Sequence, residues 1–134
     1  MCTDPSSISI NQTSTTGTFE VWNCGDVGST LNYSITEGCS WLSVSPTGGS
    51  STGEPDDITA TVNWSGFTPN QSQSCNVTVT GGGDTDNISV TANAMSETIT
   101  TPNQPSGPSS GDVGESLSYS TGGASSNWGH SVEY

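Results

Sequence analysis

The sequence predicts an all-β sandwich of about seven strands plus a partial second β-domain. Short runs alternate apolar and polar residues with a period of two, Gly, Pro, Asn and Asp fill the gaps between them, and no stretch keeps a helical period. Two packed sheets can bury one apolar face of each strand while Ser, Thr and Asn face water.

The strands follow in order. Ile8 and Ile10 alternate with Ser and Asn, and Phe19 and Val21 with Thr18, Glu20 and Trp22. Leu31, Tyr33 and Ile35 alternate with Asn32 and Ser34, and Leu42 and Val44 follow Trp41. Ile58, Ala60, Val62 and Trp64 share one phase, Val77 and Val79 sit among Asn76, Thr78 and Thr80, and Ile88, Val90 and Ala92 close the set. The apolar fraction of 28 % is low enough to suggest disorder, but this periodicity argues against it over most of the chain. Length and pattern divide the chain into a sandwich at 1–93, a Pro/Ser/Thr-rich connector at 94–111 and an incomplete second domain or assembly segment at 112–134. In that last part Val113, Leu117, Tyr119, Val132 and Tyr134 suggest two or three more strands, too few to build a core alone. Residues 94–134 are therefore expected to gain order through contacts beyond their own fold.

Charge excludes several functions. The 134 residues hold 13 Asp or Glu, one His and neither Lys nor Arg, for a net charge of -13. No side chain can clamp a phosphate, so nucleic acid is not an expected partner, and an anionic membrane surface would repel the chain. No apolar run reaches the length of a membrane span. Such a surface suits an extracellular or cell-surface protein.

The stretches VWN (21–23), GSTLNY (28–33), WLSVSP (41–46) and STGE (51–54) resemble the BACON-type immunoglobulin-like repeat of bacterial secreted and surface proteins. The tail TPNQPSGPSSGDVGESLSYST is similar to the opening strands of a PKD-like repeat. The resemblance implies a seven-stranded immunoglobulin-like sandwich in multidomain extracellular proteins, with Trp41 packed in its core. The four cysteines and the absence of basic residues depart from that pattern.

Cys2, Cys24, Cys39 and Cys75 lack metal-ligand spacing, and an even count in an exported sandwich favours disulfides. Of three connectivities, strand direction selects Cys2–Cys24 at one end of the sandwich and Cys39–Cys75 at the other. The alternatives are four buried thiols, or a link between subunits through Cys2. The same up-and-down argument gathers the turns carrying Asp26, then Glu54, Asp56 and Asp57, then Asp84 and Asp86, at one end. Hard oxygen ligands there could gather Ca²⁺, although turns favour Asp on other grounds and no cofactor is required.

Asn11, Asn32, Asn63, Asn70, Asn76 and Asn87 precede Ser or Thr by two residues, the context of N-linked glycosylation; ordinary surface asparagine is the other reading. Of the four tryptophans, Trp41 and Trp64 are expected in the core. Trp22 falls on the outward phase of its strand and is the candidate ligand or subunit contact. His130 has no evident catalytic partner, so no enzyme is expected. The reading that follows is a structural module of a surface protein, adhesin or filament, assembling head-to-tail with copies of itself or adjacent immunoglobulin-like domains. The alternative is a carbohydrate-binding module whose partner is polysaccharide.

Overall fold

A computed structural model describes residues 1–133; Tyr134, expected to end a last strand, lies outside the described residues. The strands are β1 (Cys2–Asp4), β2 (Ser7–Asn11), β3 (Thr16–Trp22), β4 (Leu31–Glu37), β5 (Leu42–Ser45), β6 (Gly48–Ser51), β7 (Asp56–Val62), β8 (Ser72–Gly81) and β9 (Asp84–Asn93). One sheet has the order β1-β3-β7-β5 and the other β2-β9-β8-β4-β6. All pairs are antiparallel except β2 with β9. This is an immunoglobulin-like sandwich.

The period-2 pattern builds the core directly. Phe19, Val21, Ile58 and Ala60 of the first sheet face Ile10, Val77, Val79, Ile88, Val90 and Ala92 of the second, and all are buried. Intervening residues such as Thr18, Asn32, Ser34, Asn76 and Asn87 are exposed. Each lateral side of the sandwich is closed by a segment that changes sheet. β1 lies at the edge of the first sheet, and after the cis Asp4–Pro5 bond the chain joins the second as β2. β5 likewise ends at the cis Ser45–Pro46 bond and continues as β6 on the opposite sheet. The four edges are thus short strands of three to five residues, which limits the backbone left open to chance pairing.

Two strands lay outside the sequence expectation. β1 is too short and polar to show alternation, and β6 reads Gly-Gly-Ser-Ser, the composition of a turn. Gly49 suits β6 because a Cβ there would lie 2.6 Å from the Tyr33 hydroxyl of the neighbouring β4. A third difference concerns Trp64. It does not extend β7; the Asn63 side chain accepts from the Ser65 N–H and caps a 3-10 turn, Trp64–Gly66.

The chain divides into two units, Met1–Met95 and Ser96–Tyr134. Among its described residues the second unit contains no strand, only isolated bridges joining Ile99 to Ser126 and Ser106 to Ser120. The strands expected around Val113, Leu117 and Tyr119 do not form. Val113 and Tyr119 are exposed, and residues from the expected connector pair instead with the tail.

Candidate functional site

Take as the upper end of the sandwich the one where β3 stops and β4 starts. Both disulfides are present: Cys2–Cys24 at the upper end and Cys39–Cys75 at the lower. The first ties the edge strand β1 to the loop after β3. The second ties the β4–β5 loop, as it leaves for the other sheet, to β8.

The upper end also joins the sheets through polar groups. The Tyr33 hydroxyl on β4 donates to Asp56 Oδ2 on β7 at 2.8 Å. Burial, then the hydrogen bond and the charge of Asp56, push the Tyr33 phenol well above its usual range. Ser51, fully buried, accepts from the N–H groups of Asn23 at 3.0 Å and Gly53 at 3.1 Å and donates to the Glu54 carbonyl at 2.6 Å. The Glu54 carboxylate turns back to accept from the N–H and hydroxyl of Thr52. Its own backbone N–H, and then Thr52, hold its carboxyl below the ordinary range.

The acidic turns do reach this end, where their side chains stand apart from one another. Among the described residues no three His, Cys, Asp or Glu side chains converge on a position that could hold a metal ion. The carboxylates are engaged separately: Asp56 by Tyr33, Asp84 by the Met1 ammonium at 3.4 Å, and Asp86 by the Thr3 hydroxyl. Asp26 contributes its backbone carbonyl to Ser29. Asp57 stands in register with Glu20 on the outer face of the first sheet.

Trp22 is half-buried at the top of β3, in register with Cys2 of the edge strand. The core positions expected for Trp41 and Trp64 need correction, since both are only half-buried. With buried Phe67 they form an aromatic cluster, centroids 5.7 Å apart for Trp41–Phe67 and 4.9 Å for Trp64–Phe67. The Trp41 carbonyl accepts from the Asn63 N–H, which fixes the start of the 3-10 turn against the start of β5. Trp64 Nε1 is shielded from solvent and has no hydrogen-bond partner among the described residues.

Beside this lower end lies a feature the sequence did not reveal. β4 pairs with β8 only from Glu37–Val77 upward to Tyr33–Gly81. Below that, Ser72–Asn76 of β8 has β9 on one side and, among the described residues, no strand on the other, although the Cys39–Cys75 bridge holds the β4–β5 loop beside the upper part of the stretch, with Cα atoms 6.2 Å apart. This open edge carries no charge. The upper half of β9 is also single-sided above Ser89, but Asp84 and Asp86 stand there, and like charges at an edge discourage pairing.

In the second unit His130 Nδ1 lies 2.8 Å from Glu97 Oε1, which also accepts from the Ser126 hydroxyl at 2.5 Å. Ser126 and, to a lesser degree, His130 hold the Glu97 carboxyl below its usual range, against the opposing effect of burial. Trp128 stacks near His130 at 6.4 Å. A hollow of about 250 Å³ is lined by Ser110, Gly111, Asp112 and Glu115. All six asparagines in glycosylation context are exposed.

No family model and no curated protein matches the chain. Among solved structures it is similar to the Pseudomonas aeruginosa CupB2 chaperone, with TM-score 0.57 and 8 % identity, covering 68 % of this chain and 54 % of that one. It is similar to the CsuC–CsuE chaperone–tip adhesion subunit pre-assembly complex from Acinetobacter baumannii Csu pili, with TM-score 0.58, 13 % identity and coverage of 70 % and 51 %. A third likeness is to the E. coli chaperone DraB, with TM-score 0.53, 11 % identity and coverage of 71 % and 54 %. The chain spans about half the length of these structures. At such identities the likeness establishes the fold alone. It also corrects the BACON and PKD resemblance: the solved structures like this chain are pilus chaperones, and no repeat family matches. The block at 41–54 that suggested BACON encodes a local geometry, the passage from β5 to β6 across the sheets and the Ser51–Glu54 turn that follows.

Proposed function

We propose that this chain is a non-catalytic, extracytoplasmic module that holds other protein subunits in a surface structure, accepting an extended segment of the partner along Ser72–Asn76 of β8. The open, uncharged edge is the observation that carries the reading. Backbone N–H and C=O groups on the free side of a strand are a template for β-augmentation, with affinity from main-chain hydrogen bonds and selectivity from nearby pockets. The Trp41–Trp64–Phe67 cluster lies toward the same end and offers apolar contacts for partner side chains.

Three further facts support it. Two disulfides suit an oxidising compartment. Among the described residues no helix is long and apolar enough to cross a membrane. The sandwich is similar to chaperones of pilus assembly, one of them described in complex with a tip adhesion subunit. In the finer form of this reading the partner is a copy of the chain or an adjacent immunoglobulin-like domain, joined head-to-tail in an adhesin or filament, with residues 94–111 as spacer and 112–134 as assembly segment. The polysaccharide alternative gains no support: Trp22 is half-buried, and Trp41 and Trp64 pack on Phe67 rather than forming an exposed row.

The test is photo-cross-linking of the native assembly from a benzophenone amino acid placed at Ser72, because this stretch offers neither a lysine nor a carboxylate to a chemical cross-linker. Protein subunits joined to peptides around Ser72–Asn76 are expected. Recovery of a monomer with no cross-linked protein would refute the proposal.

A further inference from the structure

The asparagines in glycosylation context are not scattered evenly over the fold. Asn11, Asn32, Asn76 and Asn87 lie on four different strands, β2, β4, β8 and β9, and all four strands belong to the second sheet. Each is exposed, and its strand neighbours Ile10, Leu31 with Tyr33, Cys75 with Val77, and Ile88 are buried, so all four side chains stand on the outer face of that sheet. The period of two then places the Ser or Thr two residues on beside its asparagine wherever the strand continues. Ser34, Thr78 and Ser89 are the hydroxyl partners of Asn32, Asn76 and Asn87 on this same face.

Hydrogen bonding separates these asparagines from others in the chain. Asn23, Asn93 and Asn127 are outside the glycosylation context, and each spends its amide nitrogen as a donor: Asn23 to Ser29, Asn93 to Ser9, and Asn127 to the Ser96 carbonyl. In the four on the sheet face, the amide nitrogen makes no hydrogen bond among the described residues. Asn87 accepts from Thr78 at 2.9 Å through Oδ1, which leaves Nδ2 outward. The surrounding face is Ser, Thr, Asn and Gly, without a carboxylate or a large apolar side chain, whereas the outer face of the other sheet carries Asp4, Glu20 and Asp57 in cross-strand register.

We propose that the outer face of the β2-β9-β8-β4-β6 sheet is a glycan-bearing surface, with N-linked oligosaccharide attached at Asn11, Asn32, Asn76 and Asn87. The co-reactant is a glycosyl diphosphate donor acting with a host transferase. Asn Nδ2 attacks the anomeric carbon, the N–C bond forms as the C–O bond to diphosphate breaks, and the diphosphate leaves with the bonding pair. The Nδ2 proton passes to a base of the transferase. Asn76 and Asn87 are diagonal neighbours on adjacent strands, about 7–8 Å apart, so sugars on both would crowd each other. This inference stands independently of the subunit-binding proposal.

The experiment is glycopeptide mass spectrometry on protein from its natural host, cleaved by a protease that needs neither Lys nor Arg. Sugar is expected on the four asparagines, and enzymatic release should convert each occupied Asn to Asp. Ser34→Ala and Thr78→Ala, made in the same host, should lose the whole glycan at Asn32 and Asn76 respectively and leave the other sites occupied. These variants keep the asparagines themselves, and a denaturation midpoint confirms that each still folds. Unmodified asparagine at all four positions, or sugar confined to Ser and Thr hydroxyls, would overturn the assignment.

Discussion

Removing the Cys39–Cys75 bridge is a sharp perturbation, because its cost follows from chain topology. The bridge spans a sequence separation of 36 residues, and Cys2–Cys24 spans 22. The chain-entropy model gives about 3.8 kcal/mol for the longer loop and about 3.4 kcal/mol for the shorter. For a sandwich of this size, where unfolding entropy is roughly 0.2 kcal/mol per kelvin, loss of the longer bridge lowers Tm by roughly 20 °C. The double variant Cys39→Ala/Cys75→Ala removes the link without leaving a lone reactive thiol. Urea titration followed by tryptophan fluorescence should show a midpoint falling by the amount that about 3–4 kcal/mol implies, and a steeper dependence on urea because the freed unfolded chain exposes more surface. A loss below about 1 kcal/mol with unchanged slope would refute the loop-closure argument.

Two further outcomes concern the strap between the sheets. Tyr33→Phe removes the hydroxyl that donates to Asp56 at 2.8 Å and should cost about 1.5–2 kcal/mol in the same titration, the lower part of the range for a hydrogen bond to a charged group because Asp56 keeps some solvent contact. The folded Tyr33 phenol titrates above its unfolded value, so its contribution is complete below about pH 10 and is lost as pH rises beyond that. The wild-type chain should therefore lose stability more steeply than Tyr33→Phe above about pH 10, and equal slopes would contradict the link.

The strands of the core were legible because their alternation is strong: Ile58, Ala60 and Val62 announce β7, and Ile88, Val90 and Ala92 announce β9. β1 and β6 were not, since three polar-flanked residues and a Gly-Gly-Ser-Ser run owe their extended form to the neighbours they pair with. Strand direction also located the acidic turns at one end. It could not tell that Tyr33, Thr3 and Met1 would engage those carboxylates one by one. The phase of Trp64 pointed inward, but the Asn63 cap ended the strand first, and capping competes with periodicity wherever Asn precedes a turn. The open stretch of β8 was invisible for a different reason. Its existence depends on where β4 stops pairing, at Glu37, and register between distant strands is not written in either strand alone.

In the proposed assembly, Ser72–Asn76 is the edge that takes a partner strand. Amide hydrogen exchange, read residue by residue on the isolated chain and on the native assembly, addresses it directly. The N–H groups of this stretch that point away from β9 should exchange fast in isolation and become protected in the assembly, while those bonded to β9 stay protected in both. Equal exchange of the outward amides in the two states, with protection gained elsewhere, would contradict it.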